Sequence, residues 1–164
     1  MADGILSGRR GLIMGVANDH SIAWAIAKAC HEEGAELGFT YQGDAMLKRV
    51  KPLAESIGAD FLEPCDVTAD GDLPRVFRRI EKEWDRLDFV LHAIAFSDKN
   101  ELKGRYVDTT AANFARTMDI SCYSFTETAR CAAPLMRDGG SLLTLSFSGA
   151  ERWMPSYNVM GVAK

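Results

Sequence analysis

The stretch RGLIMGVANDHSIAWAIA, residues 10–27, decides the fold. Its first half is a short apolar run typical of a buried strand, and its second half is typical of a helix. Gly15 stands between them and predicts the turn that leaves the strand. A polar loop then leads to Ser21, a residue type that caps helices, so we expect the helix to begin at Ile22. The stretch predicts the first strand–turn–helix unit of an α/β protein.

The same alternation of strands and helices continues along the chain. Strands are predicted at 10–16, 36–41, 60–65, 88–96 and 141–147, and helices at 21–34, 44–58, 72–84 and 110–137. Such alternation through short links indicates a parallel sheet flanked by helices. We therefore expect residues 1–164 to form one Rossmann-like, doubly wound α/β domain with strand order 3-2-1-4-5. Because such a sheet normally has a sixth strand, we also expect the sequence to represent part of a longer fold.

Composition narrows the classes of function. The net charge of −4 gives no electrostatic reason to expect nucleic acid or an anionic membrane as partner. No apolar run approaches the roughly 20 residues that span a bilayer. The three histidines are scattered, so no metal site is expected. The four cysteines form no C-x-x-C pair, which predicts reduced and mostly buried thiols at Cys30, Cys65, Cys122 and Cys131.

The turn at residues 15–21 is suited to a pyrophosphate. Only Gly15 is present of the glycines in a G-x-G-x-x-G fingerprint. A helix N-terminus with free N–H groups nevertheless attracts phosphate, and the Ser21 hydroxyl adds a donor. A simple capped turn explains these residues equally well when they are considered alone.

Three further strand ends favour a nucleotide. Gln42 follows the second strand, roughly where an acidic residue would hold the adenosine ribose. Asp66 follows the third strand and could accept a hydrogen bond from an adenine amino group, with Val67 as an apolar wall; its alternative role is to cap the next helix. Small residues at 92–97 follow the fourth strand and let a ligand lie against the backbone. Because ligands of open α/β sheets lie beyond the carboxyl ends of the strands, we expect a nucleotide at this edge.

The segment PSYNVMGVAK, residues 155–164, carries a candidate catalytic pair. If the segment is helical, seven residues turn through about 700°, so Tyr157 and Lys164 share one face. The ammonium can lean back toward the phenol, leaving room for a ribose, and its charge favours the phenolate. Such a phenol can donate a hydrogen bond to an oxygen that becomes negative as hydride adds to a substrate. Spacing alone favours an interfacial tyrosine and a solvated lysine, whereas the position after the fifth strand favours the pair.

Together these segments resemble the bacterial NADH-dependent enoyl-acyl-carrier-protein reductases, which belong to the short-chain dehydrogenase/reductase superfamily. The resemblance covers residues 1–164 and is carried by GVANDHSIAWAIA, TYQ, CDV, HAIAF, DISCYSF and LTLSFSGAERWMPSYNVMGVAK. The spacing Tyr-x6-Lys is specific, since ordinary short-chain dehydrogenases have Tyr-x3-Lys and position 161 is glycine here. This difference argues against a carbonyl substrate.

The resemblance implies NADH as the cofactor and assigns residues to its parts. It assigns the pyrophosphate to Gly15, Ser21 and Ile22, the adenosine ribose to Gln42, the adenine to Asp66 and Val67, and the nicotinamide ribose to Ile94 and Lys164. Ser97 is assigned to the substrate, and Tyr157 to the enolate oxygen. No arginine adjoins Gln42 in the sequence to hold a 2′-phosphate, which favours NADH over NADPH.

The resemblance also implies the reaction, the partner and the assembly. The family reduces the 2,3-double bond of a trans-2-enoyl thioester on acyl carrier protein during fatty-acid elongation, usually as a cytoplasmic homotetramer. Hydride reaches C3, and the enolate is then protonated at C2.

The sequence departs from the family pattern in three places. Phe147 stands where a second active-site tyrosine is common, and Ala95 where glycine is common. The strands and the substrate-binding loop that follow the lysine in the family are expected to be missing. Two other functions therefore stay open: an NAD-binding fragment without turnover, and a related short-chain reductase that acts on a carbonyl.

Overall fold

The computed structural model describes residues 4–164 as a parallel sheet with helices on both faces. The strands are β1 (Arg10–Met14), β2 (Glu36–Tyr41), β3 (Phe61–Pro64), β4 (Phe89–His92) and β5 (Ser141–Thr144). All four neighbouring pairs are parallel, and the order is β3-β2-β1-β4-β5. The predicted fold class and strand order are confirmed.

The first three helices lie close to their predicted positions, whereas the fourth is divided. They are α1 (Ile22–Glu32), α2 (Gly43–Ser56) and α3 (Asp72–Trp84). The single helix predicted at 110–137 is instead α4 (Ala111–Met118), a π-helical turn (Asp119–Tyr123), α5 (Ser124–Ala132) and a 3-10 turn (Ala133–Leu135). The last helix is α6 (Asn158–Ala163). Within residues 4–164 no helix has both the length and the apolar character that a membrane crossing needs.

The side chains of β1 alternate between two apolar layers. Leu12 and Met14 pack into the cluster that contains the buried face of α3, while Ile13 packs into the cluster that contains α1 and α2. All three side chains are fully buried. Because successive residues of a strand face opposite sides of the sheet, β1 is apolar on both faces, as a central strand must be.

The strand β5 forms an edge of the sheet. Within the described residues it pairs with β4 alone, and all four of its residues are exposed. Leu143 is 48% exposed, whereas every residue of β4 is buried. The described chain therefore leaves one apolar strand edge uncovered.

The four cysteines are free thiols. Cys65 is buried, and burial, assisted by nearby carboxylates, raises the pKa of its thiol to about 12. Cys30 and Cys131 are partly buried, but Cys122 is exposed. The expectation of mostly buried thiols is therefore wrong for Cys122, which lies in the π-helical turn.

His92 ends β4 as a fully buried, neutral side chain. The Ser124 hydroxyl donates to the Ile120 carbonyl at 2.6 Å, so its oxygen accepts from Nε2 of His92 at 2.8 Å. The other ring nitrogen, Nδ1, then accepts from the Thr144 hydroxyl at 3.3 Å. Burial, followed by the charge of Lys164, lowers the pKa of His92 to about 4.

We predict that the free energy of unfolding falls by roughly 3 kcal/mol as the pH drops from about 6.5 to about 4. In this window the unfolded chain binds a proton at His92 while the folded chain does not, so acid favours unfolding. Urea unfolding at several pH values measures the slope. His92→Gln should flatten it, whereas His31→Gln, at an exposed position, should leave it unchanged. An equal slope in His92→Gln and the unaltered chain would contradict the prediction.

Candidate active site

A cavity of about 340 Å³ lies beyond the carboxyl ends of the first four strands. Each of the four strand ends contributes to its lining, which includes Gly15 and Val16, Gln42, Asp66 and Val67, and Ile94, Ala95 and Phe96. Most of the residues that the sequence predicted for a nucleotide therefore meet in one cleft. We call it the nucleotide cleft.

Gly15 allows β1 to turn beside the end of β4. Its φ is +94°, a conformation that favours glycine, and a Cβ there would lie 2.2 Å from the carbonyl oxygen of Ala93. Neither the conformation nor the space accommodates another residue. The glycine thus permits the close approach that forms the floor of the nucleotide cleft.

Ser21 precedes α1 as predicted, but its side chain does not cap the helix. The Ser21 hydroxyl donates instead to the carbonyl of Asn18 at 2.6 Å, so that hydroxyl stabilises the turn. The amide groups of Ile22 and Ala23 make no hydrogen bond to any residue in 4–164. The helix start therefore keeps free donors for an anion.

Gln42 and Asp66 form a hydrogen-bonded pair across two strand ends. Gln42 Nε2 donates to one carboxylate oxygen of Asp66 at 2.8 Å, and the amide and hydroxyl of Thr68 donate to the other at 2.9 and 2.7 Å. Burial opposes ionisation, but these hydrogen bonds and the charge of Arg116 hold the pKa of Asp66 below its ordinary value. Asp66 is not the cap of α3, which is Gly71. Its ionised carboxylate is thus available as an acceptor in the nucleotide cleft.

The loop after β4 is held from two sides. Lys164 Nζ donates to the carbonyl of Ile94 at 3.0 Å. Ser121 accepts from the amide of Phe96 at 2.9 Å and donates to its carbonyl at 3.0 Å. Burial lowers the pKa of Lys164 below its ordinary value, and the nearby Cys122 opposes this effect. Together Lys164 and Ser121 fix the backbone that lines one wall of the nucleotide cleft.

Sequence reasoning assigned no role to Ser121. It lies in the segment DISCYSF, but a single serine in a predicted helix carries no local signal of a contact with a distant strand end. The π-helical turn Asp119–Tyr123 contains this serine, and such turns are frequent at functional sites. The π-helical turn is therefore the feature that marks Ser121, and the sequence does not show it.

Ser97, predicted to contact the substrate, lies at the half-buried end of the same loop. Its hydroxyl oxygen accepts from Thr117 Oγ1 at 2.9 Å and from Asn113 Nδ2 at 3.2 Å. Asn113 and Thr117 are buried on α4. The hydroxyl of Ser97 therefore anchors the loop to α4, and its contact with a substrate stays a prediction.

Tyr157 and Lys164 do not share one helical face, because the helix predicted to carry both begins only at Asn158. Tyr157 precedes α6 with φ −126° and ψ −17°, and Asn158 has a φ of +22°. Because the backbone is not helical at Tyr157, counting 100° per residue from it fails. The structure decides the position of each side chain separately.

Tyr157 and Lys164 contact different parts of the structure. The ring of Tyr157 packs against Phe147 with centroids 4.7 Å apart and is 42% exposed. Tyr157 lines a cavity of about 380 Å³ together with Tyr106 and Trp153, whereas Lys164 reaches the wall of the nucleotide cleft at Ile94. Phe147 thus contacts the candidate catalytic tyrosine through its ring.

The described part of the chain, residues 4–164, contains no cluster of three or more His, Cys, Asp or Glu side chains that could hold a metal ion. Histidine 92 is engaged with hydroxyl groups in the core. The candidate chemistry therefore rests on the turn, the carboxylate, the phenol and the ammonium described above.

Comparison with solved structures shows a close likeness of fold. The chain superposes on an enoyl-(acyl-carrier-protein) reductase from Anaplasma phagocytophilum, crystallised in complex with NAD, with a TM-score of 0.95 and 56% identity. A second structure, that of FabI from Candidatus Liberibacter asiaticus, gives a TM-score of 0.96 and 55% identity. In both cases 98% of this chain is covered, and 62% of the other.

Curated relatives show the same likeness in sequence. The chain is 62% identical, over 99% of its length, to enoyl-[acyl-carrier-protein] reductase [NADH] 2 of Rhizobium meliloti. It is 54% identical, over its full length, to the corresponding enzyme of Rickettsia bellii. It spans only 60% and 63% of the length of these two proteins.

A family model supports the same assignment. The model described as enoyl-(acyl carrier protein) reductase matches residues 15–164, which include the turn, the strand ends and the Tyr-x6-Lys segment. The resemblance found in the sequence is thereby confirmed. This chain belongs to the enoyl-(acyl carrier protein) reductase family.

Proposed function

We propose that this chain carries the cofactor-binding part and the catalytic pair of an NADH-dependent enoyl-acyl-carrier-protein reductase. The observation that supports this most directly is the hydrogen bond that the Lys164 ammonium donates to the carbonyl of Ile94, a residue that lines the nucleotide cleft. The curated relatives are named as NADH enzymes, and a neighbouring structure contains NAD. Residues 1–164 would act as one dinucleotide-binding domain.

The residues of the nucleotide cleft fit a dinucleotide by their chemistry. The amides of Ile22 and Ala23 are free to bind a pyrophosphate at the start of α1. The carboxylate of Asp66 is ionised and can accept from the amino group of adenine. Gln42 lies beside it to meet the adenosine ribose, and Lys164 can donate to the hydroxyls of the second ribose. Donors and acceptors thus occur in the order in which a dinucleotide would need them.

Tyr157 and Lys164 have separate roles in the proposed reaction. When bound, NADH supplies the hydride that adds to C3 of the enoyl thioester. The Tyr157 hydroxyl donates a hydrogen bond to the thioester oxygen as that oxygen becomes negative. Phe147 supports the phenol through ring contact and adds no second hydroxyl. Ser97 would contact the substrate from the end of the loop that Lys164 and Ser121 hold.

The preference for NADH follows from the charge beside Gln42. Asp66 brings an ionised carboxylate to 2.8 Å from the Gln42 amide. A 2′-phosphate at the adenosine ribose would approach this negative charge, which disfavours NADPH. The substrate would be a trans-2-enoyl chain on acyl carrier protein, in fatty-acid elongation. A cytoplasmic location and a homotetramer are part of the same proposal.

A second candidate is an NAD-binding fragment without turnover. The chain spans about three fifths of the length of its curated relatives, and Tyr157 lines a cavity separate from the nucleotide cleft. Both observations favour binding without catalysis for the 164 residues by themselves. A carbonyl substrate is a weaker candidate because of the Tyr-x6-Lys spacing.

We expect a short trans-2-enoyl thioester to oxidise NADH in the presence of a chimera that joins residues 1–164 to the C-terminal segment of the Rhizobium meliloti relative. Following NADH absorbance measures the rate for the chimera and for residues 1–164 alone. If the chimera oxidises NADH and residues 1–164 do not, the 164 residues bind the cofactor without turnover.

In the chimera Tyr157→Phe should lower kcat about 100-fold, because a hydrogen bond to the developing oxyanion is lost. Tyr123→Phe, at an exposed position, is the control and should leave kcat of the chimera unchanged. No oxidation with either chain would defeat the proposed reaction.

We also expect Lys164→Met to weaken NADH binding by about tenfold or more, because a charged donor to the ribose is lost. Titration of NADH fluorescence with residues 1–164 measures the dissociation constant. Lys28→Met, an exposed lysine on α1, is the matched control. Equal affinities of the two variants would exclude Lys164 from the cofactor site.

A further inference from the structure

We infer that Arg116 is an additional cofactor-binding residue, whose guanidinium stacks on the face of the adenine ring. This inference rests on the proposed function, because it names a further contact in the same nucleotide cleft. Neither the sequence pattern nor the family resemblance pointed to this residue.

Arg116 belongs to the adenine end of the nucleotide cleft by position. It lies in the last turn of α4, and its side chain lines the same 340 Å³ cavity as Asp66, Val67 and Phe96. The guanidinium carbon lies 4.5 Å from the centroid of the Phe96 ring. The loop after β4 thus offers an aromatic platform that holds the arginine over the cleft.

The guanidinium of Arg116 is uncommitted within residues 4–164. Eight other arginines pair with carboxylates, such as Arg79 with Glu63 and Glu83. The Arg116 guanidinium makes no salt bridge and no hydrogen bond to any described residue, and it contacts the Phe96 ring. Its charge nevertheless acts on Asp66, since it helps to hold the pKa of that carboxyl below its ordinary value. A cation is therefore kept close to Asp66 without being neutralised by direct contact.

The chemistry of a guanidinium selects a flat, aromatic partner. A guanidinium is planar and has two faces that can stack on aromatic rings. Its carbon already lies over the Phe96 ring, and its plane can stack on a second ring in the cleft. Asp66 is placed to read the amino edge of an adenine and Val67 to form its apolar wall. Arg116 would complete this arrangement by covering the face of the base.

A phosphate is the competing partner for an unpaired arginine. The start of α1 already supplies amide donors for the pyrophosphate, at Ile22 and Ala23. Arg116 stands instead with the residues of the adenine end, and it is held by an aromatic ring and not by hydrogen bonds that would aim its donors. These observations favour the base over the phosphates.

The test compares ligands that differ in their adenosine half. NADH, its hypoxanthine analogue, and reduced nicotinamide mononucleotide, which lacks the adenosine and one phosphate, are titrated into residues 1–164 and into Arg116→Ala. We expect Arg116→Ala to weaken NADH binding about fivefold to twentyfold. The hypoxanthine analogue, which keeps the ring but loses the amino group, should be weakened equally. The mononucleotide should be unaffected within about twofold.

Two further variants separate stacking from charge. Arg116→Lys keeps the charge but loses the plane, so it should bind NADH no better than about twice as tightly as Arg116→Ala. Arg130→Ala removes an exposed arginine that pairs with Glu127 on α5, and it should behave as the unaltered chain. Circular dichroism establishes that each variant is folded.

Each remaining outcome overturns the inference in a recognisable way. Full rescue by Arg116→Lys would mean that the charge serves a phosphate. A loss for NADH that disappears with the hypoxanthine analogue would mean that Arg116 acts only through Asp66. If Arg116→Ala and the unaltered chain bound NADH equally well, Arg116 would not be a cofactor-binding residue, and the proposed function would be unaffected. If the unaltered chain bound no NADH at all, the proposed cofactor would fail together with the inference.

Discussion

The nucleotide cleft depends on the close approach of the ends of β1 and β4. The two strands are neighbours, with Met14 opposite His92, and the chain turns away from both directly afterwards. A Cβ at residue 15 would lie 2.2 Å from the carbonyl oxygen of Ala93, so only a glycine permits this approach. Since the sheet order reverses between β1 and β4, the connections to the next elements diverge there and leave a crevice. The candidate contacts at the ends of β2, β3 and β4 line that crevice, and Lys164 contacts one of its lining residues, Ile94.

A layer of polar side chains holds the wall of this crevice from behind. Ser121 binds both backbone groups of Phe96, Lys164 binds the carbonyl of Ile94, and Asn113 accepts from the amide of Asp98. These contacts satisfy backbone groups in a loop that no strand pairing serves. Below them His92 remains neutral, because burial disfavours its charged form and the half-buried Lys164 would repel a second cation. In this polar layer the loop is held by hydrogen bonds, and Lys164 is charged while His92 is neutral.

Much of the fold could be predicted from the sequence, and the failures have local physical causes. The strand order and the first three helices follow from alternating apolar runs joined by short links, which are features of neighbouring residues. The helix predicted at 110–137 is helical from Ala111 to Leu135, but apolar periodicity does not reveal the π-helical turn that adds a residue at Asp119–Tyr123. The helical face of Tyr157 and Lys164 failed because Asn158 adopts a positive φ that spacing cannot reveal. The side-chain cap predicted at Ser21 does not form, because the Ser21 hydroxyl donates to the Asn18 carbonyl in the preceding turn.

The sequence by itself determined the class of sheet, the family, and the residues that end each strand, because these depend on short motifs and on the period of apolar side chains. Only the tertiary structure decided which of those residues meet. It joined Gln42 to Asp66, Lys164 to Ile94, and Arg116 to Phe96, and it placed Tyr157 in a separate cavity. No arginine adjoins Gln42 along the chain, yet α4 brings Arg116 into the same cleft. Contacts between distant segments depend on how helices pack across the sheet, and the order of residues along one segment carries no record of that packing.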